Sequence, residues 1–584
     1  MRPRSGDVGS LVRGLTSGYS VRGLDGGFRV KLEVVSRATR PRAPLSAARA
    51  MLGFLLVLLL AAPAAANTVP TVLEGLVTAE TGSVASSREA RHRIALQRFY
   101  AERSFLPIWV SDSGPTSRAR ELVEVIGKAE DDGLHPSDYD HAGLMAAVVA
   151  AEEATALAEL EYRLSRALLE YGNDLGSGRV EPREVDRELY VDPRPFDPMA
   201  ALAGAASARS LSTFLASYAP RTPNYERLKQ ALADYRAIAA RGGWPIVPQG
   251  ETLRPGDRDT RVAAVRARLR VTGELSEAAV DEELYDDTLA AAVRIFQDRH
   301  GLDVDGAIGP KTLAALNVSA TQRVEQILLN MERRRWMADD LGERYVFVNL
   351  ADFELKLVEG TKTVLDSRVV IGDDFHRTPV FSGDMTYLVL NPNWNVPPSI
   401  ATKELLPKIR RNVNYLRNNN FKLFSGWGAD AHEINPANVD WSQVSARRFP
   451  YKIRQEPGDG NALGRVKFMF PNEFNIYLHD TPSRGLFSRS VRNFSHGCIR
   501  VGKPLELAEM LLRHDPEWTR ERIDAVIASG RQQIVKLKTP VKVHITYLTA
   551  WVNKDGSVYF HDDVYGRDAR LERALQRDRR EASL

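Results

Sequence analysis

The sequence predicts a multidomain α+β protein, and three observations carry that reading. The chain has 584 residues and a mass of 65.0 kDa, more than one hydrophobic core organises, so roughly two to four domains are expected. From about Ser86 to Ile238, apolar residues recur at the three- and four-residue spacing of helices, as in residues 156–171 (ALAELEYRLSRALLEY). From Tyr345 onward the repeat shortens to two, in short runs mostly separated by glycine-containing turns, the pattern of strands. The 79 Lys and Arg residues against 75 Asp and Glu leave a small positive balance, which gives no reason to expect a nucleic-acid partner.

Taken in order, residues 51–62 (MLGFLLVLLLAA) form an apolar run preceded by Arg42 and Arg49 and followed by the small-residue stretch 63–66 (PAAA) and Asn67. A membrane span needs about 20 apolar residues; this shorter run fits a secretory signal with cleavage expected after Ala66. An export signal places the protein in the periplasm or cell envelope. Contact with a membrane is expected only if the signal is not cleaved. Residues 1–66 are thus read as an N-terminal extension and signal peptide.

Residues 67–250 read as a helical domain punctuated by turn clusters at 111–115 and 131–133. Asp138, Asp140 and His141 fall together in it and read as a solvated turn, not a metal site. Residues 251–320 form a compact module with three helical stretches, in which Phe296 and Leu302 read as core and the glycines as turn residues. A linker helix follows within 321–343.

Residues 344–548 read as a mostly-β domain, barrel-like or a sandwich, with strands at 345–350, 354–358, 366–371, 385–390, 465–470 and 474–479. An Asn-rich, partly helical insertion spans about 401–464. A final hairpin pairs residues 541–552 with 558–560 around the turn Asn553-Lys-Asp-Gly556, and the C-terminal part, 549–584, ends in a charged helix expected to be solvated.

The chemistry centres on residues 476–501 (IYLHDTPSRGLFSRSVRNFSHGCIRV), which hold Cys498, the only cysteine of the chain. An unpaired cysteine in an exported protein is either bonded to another chain or a reactive thiol. Gly497 lets the backbone bend and a substrate approach. His479, His496 and Arg500 supply the base or cation that a thiol nucleophile needs.

His479 together with the run Ser495-His496-Gly497-Cys498-Ile499-Arg500 resembles the active-site signature of the L,D-transpeptidases with a YkuD-type catalytic domain. Residues 105–109 (FLPIW), 133–139 (GLHPSDY) and 178–182 (GRVEP) look like the scaffold domain of the larger, YcbB-like subgroup, in which the 401–464 insertion would be a capping subdomain gating the cleft. The module at 251–320 resembles the three-helix peptidoglycan-binding domain, with Phe296-Gln297, Gly301-Leu302, Asp305-Gly306 and Gly309-Pro310-Lys311-Thr312 at its recurring positions.

The resemblance implies that Cys498 is the nucleophile and His479 the general base. It implies acylation by carbapenems, and a reaction that links peptidoglycan stem peptides 3→3 through a cysteine thioester with no cofactor and no metal. Amides near Gly497 and Cys498 would receive the oxyanion. Tyr477 shares a strand face with His479 by alternation, Arg500 and Arg492 are candidates for a substrate carboxylate, and His496 stands close to the nucleophile. Peptidoglycan stem peptides are the expected partners, and the protein is expected to be a monomer.

Other readings stay open at this point. A zinc peptidase is disfavoured because there is no HExxH motif and His376, His432, His479 and His496 lack zinc-ligand spacing. Water or another amine as acceptor would make the same thioester chemistry an L,D-carboxypeptidase or a protein-to-peptidoglycan ligase. A non-catalytic wall-binding protein is the remaining alternative.

Overall fold

The computed structural model describes residues 68–79 and 87–582; the apolar run at 51–62 and its expected cleavage site lie outside them. From Asn67 onward the chain forms one compact unit.

The helical region is built on the helix Ala154–Ser177, buried over much of its length. Its polar side chains anchor the turns around it. Glu161, fully buried, accepts the amides of Ile108 (2.6 Å), Trp109 (2.8 Å) and Val110 (3.1 Å) and the Tyr100 hydroxyl (2.7 Å). Asp174 accepts from Tyr139 (3.0 Å) and Arg88 (2.9 Å). The turn read as merely solvated is ion-paired, Asp138 with Arg179 at 3.2 Å and Asp140 with Arg163.

The 251–320 module has helices Arg261–Val271, Asp287–Arg299 and Pro310–Leu316 around a core that includes Val265, Leu269, Phe296 and Leu313. Gln297 explains the spacing of its recurring residues: its side chain accepts from Gly306 N (2.8 Å) and donates to Asp305 (2.8 Å) and Thr312 (3.2 Å). The module is not a bead on a tether. Arg299 donates to the Val558 carbonyl (2.9 Å), Tyr559 to Asp298 (3.4 Å), and Ser490 of the loop leading to Cys498 to Asp303 (3.3 Å).

The expected linker helix is Ala320–Arg335, opened by a Ser319/Gln322 capping box. It acts as a spine. Glu332 binds the amide of Arg179 (2.6 Å) and the guanidinium of Arg335 (2.8 Å), while Asn330 exchanges hydrogen bonds with Thr549 (2.8 and 2.9 Å).

Residues 344–546 contribute nine strands to one sheet: β1 Arg344–Asn349, β2 Glu354–Glu359, β3 Lys362–Gly372, β4 Phe381–Leu390, β5 Val466–Met469, β6 Leu478–His479, β7 Asn493–Ser495, β8 Ile499–Val501 and β9 Gln533–Thr546. The order is β7-β3-β8-β6-β5-β4-β9-β1-β2, and β2 pairs back to β3, so eight of them close into a barrel and β7 branches from the end of β3. Alternating apolar residues fill the interior, among them Val346, Leu357, Ile371, Leu388, Phe468, Leu478, Ile499 and Val543.

Three expectations need correction. Residues 541–546 are not a hairpin arm but half of β9, which pairs with β4 and with β1; the hairpin is Ala550–Val552 with Val558–Phe560. Pro540 falls where the β9–β4 register shifts, between Lys536 and Val541, because proline has no N–H for the ladder. The run 474–479 is a strand only at its end. Asn472 accepts the amides of Phe474 and Ile476 (both 3.1 Å), and Asn475 adopts φ 56°, which curls the segment before β6. The C-terminal helix Arg567–Ala582 is packed rather than free: Leu571 is buried and Arg567 pairs with Asp186 (3.3 Å) and Glu188 (3.0 Å).

The insertion has its own core around Leu405, Ile409, Leu423, Trp441 and Ile453 and a four-stranded sheet that begins earlier than expected, at Trp394–Asn395. Its first helical segment contains a π turn, Ala401–Leu405.

Candidate active site

His479 ends β6, and Cys498 is the residue before β8. These strands pair in parallel, Leu478 opposite Ile499 and His479 opposite Arg500, with the Ile499 amide on the Tyr477 carbonyl at 3.1 Å. The intervening loop therefore returns Cys498 to the side of Tyr477. Alternation puts Tyr477, His479, Cys498 and Arg500 on one face. From the other side β5 lays Lys467 directly opposite His479.

The turn carrying the thiol is fixed by hydroxyls. Ser495 Oγ donates to the Cys498 carbonyl (2.5 Å) and accepts the Gly497 amide (3.1 Å), and Thr378 Oγ1 donates to the Gly497 carbonyl (2.8 Å). Gly497 has φ 104°, and a Cβ there would stand 3.3 Å from Ile476 Cδ1, so a side chain is excluded by strain and contact together. The Gly497 amide is thus engaged by Ser495, whereas the amide of Cys498 has no hydrogen-bond partner among the described residues, which leaves it the candidate oxyanion donor.

Cys498 is half-buried, with Sγ 3.7 Å from the Asn475 carbonyl and the Tyr477 side chain on the same strand face. Burial pushes the thiol up from its ordinary value of 9.0, against the nearby Tyr477 and the charges of Lys467 and Arg500, which favour the thiolate. Burial also raises Tyr477, keeping it a neutral O–H donor.

His479 is buried, and its Nδ1 lies 2.5 Å from the carbonyl oxygen of Asp480. A carbonyl only accepts, so the proton is assigned to Nδ1 and the lone pair to Nε2. Burial, then Arg500, with a smaller push from Lys467, lowers the imidazole to about 3. Asp480 does not point its carboxylate at the imidazole; that group takes the amides of Arg465 (2.8 Å) and Thr481 (2.7 Å) and binds Arg484.

The two arginines separate. Arg500 is half-buried, its Nε is buried without a partner, and burial lowers its pKa. Arg492, expected as a carboxylate holder, is a structural residue: buried, stacked 5.2 Å from the Phe353 ring centroid, and donating to the carbonyls of Val369, Arg489, Asp352 and Phe353. Its fork is already occupied. His496 faces the capping insertion, with Nε2 2.6 Å from Glu404 in the π turn and its ring 4.8 Å from that of His376.

Lys467 and Glu404 escaped sequence reading. Lys467 is the polar position of an ordinary alternation, Val466, Phe468 and Phe470 being inward, so it reads as a surface lysine. Glu404 meets His496 only through the fold of the insertion. A cavity of about 440 Å³ lined by Tyr190, Trp336, Phe381 and Tyr547 includes neither Cys498 nor His479. Among the described residues no group of three or more His, Cys, Asp and Glu side chains is placed to hold a metal ion.

The site lies within a stretch that resembles a known family. Residues 343–543 match the family model for the L,D-transpeptidase catalytic domain, YkuD. Over these residues the chain is similar to YkuD-type L,D-transpeptidase domains. The transpeptidase domain is preceded by matches to a scaffold domain (residues 94–232) and to a "putative peptidoglycan binding domain" (residues 258–316).

A Haemophilus influenzae protein named "Putative L,D-transpeptidase" is 35% identical over 247 residues, 42% of this chain and 49% of its own length, so the match spans about half of that relative. The Mycobacterium tuberculosis N-acetylmuramoyl-L-alanine amidase CwlM is 32% identical over 124 residues, 20% of this chain and 30% of its own. A crystal structure of an L,D-transpeptidase from Stackebrandtia nassauensis aligns with 12% identity over 52% of this chain and 96% of its own, at a TM-score of 0.20, too slight a likeness to bear on the fold.

Proposed function

We propose that the protein is an L,D-transpeptidase that joins peptidoglycan stem peptides by 3→3 cross-links through a thioester on Cys498. The observation that carries the proposal is the fixed tautomer of His479: Nδ1 is held by the Asp480 carbonyl, leaving the Nε2 lone pair on the strand face that bears the Cys498 thiol.

In this reading Cys498 Sγ attacks the carbonyl carbon between the L-centre of diaminopimelate and the terminal D-alanine of a tetrapeptide stem. The S–C bond forms as the thiol proton passes to His479 Nε2, and the Cys498 amide faces the developing oxyanion. The C–N bond then breaks, D-alanine leaving with the proton from His479. The side-chain amine of a second stem attacks the thioester, gives its proton to His479, and expels the thiolate, which recovers that proton. The thioester conserves the acyl energy, so no nucleotide is required.

Tyr477 shares the face of the thiol and is placed to donate to the substrate, and the capping insertion covers the cleft through the His496–Glu404 contact. The peptidoglycan-binding module would keep the domain at the wall, consistent with an envelope location after export. Incubating the purified protein with tetrapeptide stems and weighing the products tests the reaction. A cross-linked dimer with release of D-alanine is expected; tripeptide alone would make it an L,D-carboxypeptidase, and unchanged stems would refute the proposal.

A further inference from the structure

We infer that Lys467 is a substrate-binding residue: with Arg500 it receives the carboxylate that lies next to the scissile bond of the acyl donor. The inference rests on the reading above that an acyl donor occupies Cys498, and it assigns a role to a residue that neither the signature motif nor the family match singles out.

The geometry begins with register. Lys467, His479 and Arg500 are direct neighbours across three adjacent strands, β5, β6 and β8, so their side chains leave the barrel on the same face and His479 stands between two cations. Lys467 Nζ lies 3.7 Å from the centroid of the Tyr477 ring, which shares the strand face of the Cys498 thiol. An aromatic face is the weaker kind of partner for an ammonium.

Among the described residues Lys467 has no carboxylate within ion-pair distance, unlike its neighbour Arg465, which pairs with Asp480 at 3.4 Å. Arg500 is in the same position, with a buried Nε lacking any acceptor. Two half-buried cations without an anion are costly unless something supplies one. Burial accordingly depresses both, while the Cys498 thiolate is the one anion that favours their charged forms.

The donor supplies what is missing. The residue that leaves is C-terminal, so its carboxylate lies within a few bonds of the carbonyl that Cys498 attacks. Seated between Lys467 and Arg500, it would neutralise the two charges that flank His479 and allow the imidazole to take the thiol proton when the donor is in place. A stem extended beyond that residue, or capped as an amide, would bring no charge there.

The test compares alkylation of Cys498 by iodoacetate and iodoacetamide, which share a leaving group and differ by a carboxylate. The ratio of the two rates, divided by the same ratio for a small free thiol, measures anion preference independently of transpeptidation. In the wild-type chain this normalised ratio is expected to exceed one by about tenfold, the size of one favourable charge contact. Lys467→Met, which keeps the apolar stem over Tyr477, should lower it about fivefold, and Lys467→Arg should retain most of it. A wild-type ratio of one, which needs no variant, or an unchanged ratio in a Lys467→Met chain that melts cooperatively, would overturn the inference. Carbapenem acylation separates this from the functional reading: a chain that is acylated at Cys498 but shows no anion preference loses the role of Lys467 alone.

Discussion

The imidazole of His479 is held by the backbone of its neighbour, Nδ1 lying 2.5 Å from the carbonyl oxygen of Asp480. The orienting group is thus a peptide carbonyl, which cannot change its charge, and the imidazole presents Nε2 in one tautomer. His479→Ala is expected to slow carbapenem acylation of Cys498 by about 10²–10⁴-fold, the range for loss of a general base, with an unchanged far-ultraviolet spectrum. His496→Ala, which removes one exposed side-chain contact to Glu404, should cost less than about tenfold. Equal losses in the two variants would move the base to His496.

The pH dependence has a definite sign. His479 is lowered from 6.5 to about 3 in the folded chain, so between those values the unfolded state binds the proton that the native state refuses. Stability from this residue is complete above about pH 6.5 and is lost as the pH falls toward 3. His92 and His561, lowered to about 3 and about 4, act in the same direction. The melting temperature should fall through this window, and His479→Gln should flatten the fall. A profile as steep in the variant as in the parent would show that His479 titrates normally.

The thiol behaves oppositely. Because burial holds Cys498 above 9.0, iodoacetamide alkylation of the free protein should still be rising at pH 9, with no plateau near neutrality. A plateau below pH 7 would indicate a preformed thiolate–imidazolium pair and contradict the neutral resting state.

Arg492 and Arg500 should part company on substitution. Arg492→Ala removes a donor fork from buried carbonyls and should lower stability by about 2–4 kcal/mol, seen in denaturant melts. Arg500→Ala should leave the melt nearly unchanged and slow acylation. Reversal of the two phenotypes would return Arg492 to the site.

Much of this was legible in the sequence, for physical reasons that can be named. Cys498 and His479 were singled out because their residues carry a family signature, and the parallel pairing of β6 with β8 brings the two onto one face. The barrel strands with clean alternation were also legible, as in β1, β2 and β4. What failed depended on distant partners. Residues 533–539 gave no strand signal because Pro540 interrupts the run, yet they pair with β4 on the far side of a register shift. Arg492 and Arg500 look alike as letters; only the carbonyls of Asp352, Phe353 and Val369 around the first distinguish them. The charged C-terminal helix read as solvated because the partners of Arg567, Asp186 and Glu188, lie far back in the chain.

The packing of the peptidoglycan-binding module changes what its removal should do. Excising residues 253–318 strips Arg299 from Val558 and Asp303 from Ser490, so the deletion should melt earlier and less cooperatively than the parent. The fraction that remains folded should still acylate at Cys498, since no residue of the module joins the face of Tyr477, His479 and Arg500. Folded deletion protein that takes no carbapenem would make the module part of the catalytic architecture.

The most direct test of the central claim is the intact mass of the folded protein after exposure to a carbapenem. The account predicts a single covalent adduct, mapped to Cys498 and absent from Cys498→Ala. No adduct on the folded wild-type chain, or one that survives Cys498→Ala, would contradict the assignment of the nucleophile.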